Sequence, residues 1–377
     1  MITIAMLARK LASEAYEILQ GPLVRWSTFK DRKVPPTAVL VHGILGKRQN
    51  MQSFAKLLLA EFPSWQILMV DLRCHGESVI LRERQKGPDD LSTAASDVLG
   101  LLRQLQLFPN ILIGHSFGGK VVMSMVQQFG AQSLPRPVQV WVLDSLPGEV
   151  RSGDSKGGDH PKRLIAHLRD EAMPMQNRLQ VVNYLEDQGF STHIAQWVAT
   201  NLRPASPDSV SQGGPPLAWS FDVDGIASMY EHGRSEGRQG TQKMRLLMVG
   251  LDANRIPATY QQGPRPSAST TDGTAPVRAR GVQSLRLHQP GSAAPLQRGQ
   301  KGDPSPLGSS TGLKVDFVKA AGSDFRWGGP DEGLIKSMGH GVHLLKDSGH
   351  WVHTDNPQGL LKLLAPAFNG DLAPSAR

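Results

Sequence analysis

Ile111-Leu112-Ile113-Gly114-His115-Ser116-Phe117-Gly118-Gly119-Lys120 holds the end of a strand, a sharp turn and the start of a helix within ten residues. Ile111 to Ile113 is a short apolar run of strand length, and Gly118 to Phe129 carries helical character. Between them Ser116 stands in the pattern G-x-S-x-G, in the strand-then-helix context that gives this motif its meaning. Glycines two places either side of the serine remove Cβ clashes from the turn, so that Ser116 projects above the edge of a sheet. The helix behind it offers unpaired N–H groups and a positive dipole end, a favourable place for developing negative charge.

Working outward, short apolar runs alternate with amphipathic helical stretches from Pro36 to Asp144, the pattern of βαβ units around a parallel sheet. Strands are expected at Thr37–Val41, Gln66–Val70, Ile111–Ile113 and Val138–Leu143. Leu91, Ala94, Ala95, Val98, Leu101, Leu102 and Leu105 mark a helical stripe. With the serine turn this predicts an α/β architecture, the α/β-hydrolase fold: a mostly parallel central sheet carrying two insertions. Residues 1–150 form the first part of the core, and 151–230 read as a helical cap without strands. Residues 231–312, rich in Gly, Pro, Ser, Gln and Arg, read as a long disordered insertion. Residues 313–377 return to the core, with strands at 315–318 and 342–345 and helices at 332–338 and 359–368. Met244–Val249 is a competing strand inside the insertion. Met1–Gln20 reads as a short amphipathic helix.

Bulk properties limit the function classes. The chain has 377 residues, 39% of them hydrophobic, and no apolar run near the ~18 residues of a membrane span. A soluble or peripheral chain without a secretory signal is expected, in the cytoplasm or in an organelle such as a plastid or mitochondrion. The single cysteine, Cys74, rules out an intramolecular disulfide and any multi-thiolate metal site. The net charge of +8 owes half its excess to residues 265–303, where six basic side chains face only Asp272 and Asp303. No recognition helix, zinc finger or aromatic platform accompanies them, so no nucleic-acid partner is expected.

The remaining chemistry-bearing residues sort by position. His350, in Ser348-Gly349-His350, follows the last strand and is the expected base, with His353 as its competitor. His42-Gly43-Ile44-Leu45-Gly46 follows the first strand of the core. The backbone N–H groups of Ile44 and Phe117 are the expected oxyanion donors, with His42 shaping the loop. The acid stays open: Asp144 ends the strand after the nucleophile helix, and Asp324 follows a later strand. Asp252 would serve if 244–249 were that strand, while Asp222 and Asp224 lie in the cap's return segment. Cys74 and His75, within Asp71-Leu72-Arg73-Cys74-His75-Gly76-Glu77-Ser78, read as a structural turn and not as a thiol nucleophile or metal site.

The strings V-H-G-I-L-G, D-L-R-C-H-G-E-S, G-H-S-F-G-G-K, V-L-D-S-L-P-G and S-G-H-W-V-H-T-D-N-P, in this order, resemble the alpha/beta hydrolase domain-containing protein 11 group. Gln20–Trp26 and Trp219–Asp222 look most like its plant and algal branch. The resemblance covers about residues 16–230 and 313–370. It implies a cofactor-free esterase or thioesterase acting on esters or thioesters of short or medium acyl groups, with Ser116 as nucleophile and His350 as base. The bacterial members imply Asp144 as the acid, while the animal members point near Asp224. Ser323-Asp324-Phe325-Arg326-Trp327 resembles a plant-branch motif and favours 313–319 over 244–249 as the strand. A ligand receptor on a retained hydrolase scaffold is the alternative from a different class.

Overall fold

The computed structural model describes residues 12, 14–24, 35–129, 137, 139–146, 159–170, 175–205, 217–235, 313–323, 327 and 329–370. Seven strands form one sheet: β1 (Tyr16–Gln20), β2 (Thr37–Val41), β3 (Gln66–Val70), β4 (Ile111–His115), β5 (Gln139–Leu143), β8 (Lys314–Ala320) and β9 (Gly341–Leu345). Their spatial order is β1-β3-β2-β4-β5-β8-β9, and every pairing except β1 with β3 is parallel.

The chain places β3 on one side of β2 and then crosses to set β4 on the other side. This makes the crevice between the carboxyl ends of β2 and β4 the topological switch point, where open α/β sheets place their sites. The register aligns those ends: Val41 stands opposite Gly114, His115 opposite Leu143, and Leu143 opposite Val318.

Period-2 alternation explains why both faces of the sheet are covered. Val39, Val41, Leu68, Val70, Leu112, Val140 and Val142 point into one core with helices α2 (Leu91–Leu105) and α3 (Phe117–Gln128). Ala38, Leu40, Ile67, Met69, Ile111, Ile113, Trp141 and Leu143 point the other way, toward α1 (Gln52–Glu61) and α10 (Pro357–Asn369). Helix α2 starts at Asp90, whose carboxylate accepts from the Thr93 N–H at 2.7 Å, and stops at Gln106 in a left-handed conformation.

Between β5 and β8 lie helices α4 (Pro161–Leu168), α5 (Arg178–Asp187), α6 (Thr192–Ala199) and α7 (Val223–Ser235). Their apolar faces, among them Leu164, Ile165, Val181, Leu185, Ile194 and Val198, join the core on the α2–α3 side of the sheet. The C-terminal part adds α8 (Gly329–Ser337) and the one-turn α9 (Val352–Asp355).

Three expectations need correction. Tyr16–Gln20 is not helical but an edge strand antiparallel to β3. Its five residues alternate, with Tyr16 and Ile18 against one core and Leu19 against the other, so period 2 suits them better than period 3.6. The segment between β5 and β8 is not free of strands: β6 (Leu202–Pro204) and β7 (Leu217–Trp219) pair as an antiparallel hairpin. Helix α6 accordingly ends at Ala199, before β6, and α7 runs on through Ser235 past the expected boundary at 230. Met244–Val249 and most of 231–312 lie outside the described residues. Among the described residues no helix is long and apolar enough to cross a membrane.

Candidate active site

Ser116 adopts φ 53° and ψ −116°, a conformation that is costly for a residue with a side chain and that the surrounding turn must enforce. The flanking glycines make the turn possible by close approach. A Cβ on Gly114 would lie 2.2 Å from the Gly118 carbonyl oxygen, and one on Gly118 would lie 2.4 and 2.5 Å from the carbonyl oxygens of Val41 and His42. Two backbone bonds extend the parallel ladder past the strand ends, Ser116 N–H to Leu143 C=O at 2.9 Å and Asp144 N–H to Val318 C=O at 2.8 Å. Ser116 and Asp144 are thereby held on one edge of the sheet.

Three sequence-separated side chains meet there. His350 Nδ1 lies 2.7 Å from Asp144 Oδ2, and His350 Nε2 lies 3.0 Å from Ser116 Oγ. The Asp144 carboxylate accepts, so Nδ1 carries the ring proton and Nε2 offers its lone pair to the Ser116 hydroxyl. Asp144 is buried, sits at φ 45°, and takes two further donors on Oδ1: the Ala320 N–H at 3.1 Å and the Trp327 indole N–H at 3.4 Å.

The competing acids go elsewhere. Asp224 is exposed and paired with Arg169 at 2.8 Å, and Asp222 accepts from the Gly225 N–H at the start of α7. Asp324 and Asp252 lie outside the described residues. His353 is buried against the His115 ring, and burial holds its imidazole down to about 4, which leaves it neutral.

The loop after β2 comes against the serine turn: a Cβ on Gly43 would stand 3.2 Å from the Ser116 Cβ. Two neutral histidines shape this loop. His42 Nδ1 donates to the Gly43 carbonyl at 2.8 Å while its Nε2 accepts the Leu72 N–H at 3.0 Å. His75 Nδ1 donates to the Arg73 carbonyl at 2.8 Å and its Nε2 accepts the Leu45 N–H at 3.0 Å. Burial holds them down to about 4 and about 3, respectively, with the neighbouring His42 ring also lowering His75. Leu45 adopts φ 59°, and its carbonyl accepts from the Asn201 side chain at 3.1 Å. With its N–H and C=O both tied, Leu45 holds the two peptides that follow Ile44. Phe117 opens helix α3, where the first N–H groups have no intrahelical acceptor.

The Asp71–Ser78 stretch is a structural turn, as its sequence suggests. Asp71 accepts the backbone N–H groups of Arg48 at 2.6 Å and Glu77 at 2.9 Å and forms an ion pair with the Arg48 guanidinium. Arg73 is fully buried and donates to Asp97 at 2.7 Å and to the backbone of Lys86 at 2.9 Å. Ligand atoms of Cys74, Asp89 and Asp222 lie within 4.8 Å of one another, but Arg82 already supplies the positive charge, holding both Asp89 oxygens at 2.5 Å. Burial, with Asp89 and Asp222 close by, pushes the Cys74 thiol far above its usual value.

Several contributing residues carry no signal of their own in the sequence. Trp327 was visible within a motif yet had no role there. Lys120 is buried and donates to the Leu146 carbonyl at 2.9 Å, on the segment just after Asp144. Asn201 lies some 150 residues from the loop it holds, so no local pattern could reveal it.

Comparison with known proteins agrees with this architecture. Residues 38–363 match the sequence family described as "Alpha/beta hydrolase family". The chain belongs to the alpha/beta hydrolase family. Within that family it is similar to the ABHD11 group: it is 30% identical over 198 residues to the mouse sn-1-specific diacylglycerol lipase ABHD11, covering 51% of this chain and 57% of the mouse protein. It is 25% identical over 172 residues to ethanol acetyltransferase 1 of Eremothecium cymbalariae, covering 44% and 45% of the two chains. The matches thus span about half the length of these relatives. Among solved structures, a marine microorganism esterase superposes with a TM-score of 0.56 at 16% identity, over 93% of this chain and 98% of that one, a likeness of fold.

Proposed function

We propose that the chain is a serine hydrolase that cleaves carboxylic ester or thioester bonds of small acyl substrates through an acyl-enzyme intermediate. The observation that carries this reading is the unbroken line from Ser116 Oγ through His350 to Asp144, at 3.0 and 2.7 Å. Ser116 attacks the acyl carbonyl while His350 Nε2 takes its proton, and Asp144 stabilises the imidazolium that forms. The N–H groups of Ile44 and Phe117 receive the oxyanion, each such donor being worth about 2.7–4 kcal/mol in the transition state. The imidazolium then protonates the leaving group, and a water deprotonated by His350 releases the acid.

The same acyl-enzyme suits relatives named for different acceptors. The mouse relative is named a lipase and the Eremothecium relative an acetyltransferase, and these differ in whether water or an alcohol resolves the ester.

Labelling with a fluorophosphonate tests the proposal. Wild-type protein should be modified once, at Ser116, and Ser116→Ala should not be modified at all. Folded wild-type protein that resists labelling, or Ser116→Ala that labels equally, would overturn the serine mechanism. Such a result would favour a ligand receptor on a hydrolase scaffold.

A further inference from the structure

His115 precedes the nucleophile and takes no part in the proton transfer described above. It is 3% exposed, and its Nε2 lies 2.7 Å from the main-chain carbonyl oxygen of His350. A carbonyl only accepts, so Nε2 carries the ring proton and the bond runs from His115 to His350. The ring packs 4.9 Å from the His350 ring and 4.8 Å from the His353 ring, centroid to centroid. Burial in this cluster keeps His115 neutral.

The segment that carries the base leaves the sheet after β9 and is held at two peptides, Ser348–Gly349 and His350–Trp351. The Gly322 N–H donates to the Ser348 carbonyl at 2.9 Å, and the Gly349 N–H donates to Asp355 at 2.9 Å. The His350–Trp351 peptide, two along, is held by His115. Of these three ties, only that of His115 comes from β4, the strand that ends just before Ser116. The bond therefore links the main chain of the base directly to the residue beside the nucleophile, across 235 positions of sequence.

We propose that His115 is a positioning residue for the base, its Nε2–H fixing the His350 main chain so that Nε2 of His350 meets Ser116 Oγ. This rests on the serine-hydrolase reading above. A carbonyl left without its donor lets the His350 peptide rotate. Rotation moves the ring relative to Oγ, and errors of about 1 Å in such contacts cost roughly 10²-fold in rate.

The test compares His115→Phe, which keeps a buried ring but has no donor, with His115→Gln, whose amide N–H reaches about as far as Nε2. On a short-chain nitrophenyl ester the Phe variant should lose roughly 10- to 100-fold in kcat with KM nearly unchanged, and the Gln variant should recover most of it. In 15N-histidine-labelled protein, the far-downfield His350 Nδ1–H signal should shift or broaden in the Phe variant and return in the Gln variant. This second readout does not need turnover. A wild type that resists fluorophosphonate sinks the serine-hydrolase reading, while the NMR comparison still decides the role of His115. Should the Phe variant fail to fold, Gln against Asn decides, because the Asn amide reaches only as far as Nδ1. Wild-type kcat and an unmoved signal in the Phe variant, or equal losses in Gln and Asn, would overturn the proposal.

Discussion

Asp144 Oδ2 stands 2.7 Å from His350 Nδ1, although 206 residues separate the two in sequence. The contact exists because β5 and β9 both deliver their carboxyl ends to the same edge, with only β8 between them. It predicts that Asp144→Asn, which keeps the shape but replaces the carboxylate by an amide, lowers kcat by up to ~10⁴-fold with little change in Tm. Asp224→Asn should leave ester hydrolysis at the wild-type rate, since Asp224 is exposed and paired with Arg169. Steady-state kinetics on both variants checks this, and the reverse pattern would reassign the acid.

Gly118 is a second point of test. A Cβ there would sit 2.4 Å from the Val41 carbonyl oxygen, and its three nearest neighbours would all be backbone atoms of Val41 and His42. Gly118→Ala should destabilise the protein by at least about 1–3 kcal/mol. Thermal unfolding of that variant beside Gly100→Ala, where nothing lies within 4 Å, separates close approach from helix propensity.

Asn201 should affect the chemistry from a distance. Its side chain holds the Leu45 carbonyl, and Asn201→Ala leaves that buried acceptor without its partner, a loss of about 1–3 kcal/mol in stability. Because the loop just after Ile44 loses one of its supports, kcat should also fall roughly 10-fold, less than the 10²–10³ expected for deleting an oxyanion donor itself. Chemical denaturation and turnover of the same variant measure the two effects. A destabilised variant with full kcat would show that the loop holds its shape without Asn201.

The buried histidines give the fold a pH dependence of known sign. His42 and His353 are held near 4 and His75 near 3, against about 6.5 in the unfolded chain. Between these values the unfolded chain binds protons that the folded one does not, so stability falls as pH drops from about 6.5 toward 4 and is fully present above that range. His42 alone contributes on the order of 3 kcal/mol to this loss. Tm measured from pH 7.5 to 5 should decline steadily. His75→Gln, though less stable at pH 7.5, should decline less steeply.

Cys74 offers a chemical check on the structural turn. The thiol is buried and pushed far above its usual value, so iodoacetamide should leave the native protein unmodified at neutral pH and alkylate it after unfolding in guanidinium. Rapid alkylation of the native state would reopen the possibility of thiol chemistry at this position.

Local patterns in the sequence were enough for the core strands, the α2 stripe and the serine turn, and they marked His350 as the base we propose. Those features depend on neighbours within one or two turns of chain: alternation for β2 and β3, glycine spacing around Ser116, a histidine just after the last strand. The edge strand at Tyr16–Gln20 was harder to see, because five residues hold too few periods to separate 2 from 3.6 and its partner β3 lies some fifty positions away. The choice of acid was open for a related reason. An aspartate at a strand end looks the same in sequence whether it caps a helix, as Asp222 does, or faces a histidine. Only the stacking of β5, β8 and β9 singles out Asp144 as the acid we propose, by bringing the Ala320 N–H, the Trp327 indole and His350 to one buried carboxylate. The same holds for His115 and Asn201: hydrogen bonds between distant segments leave no period in the chain and appear only once the sheet has set its register.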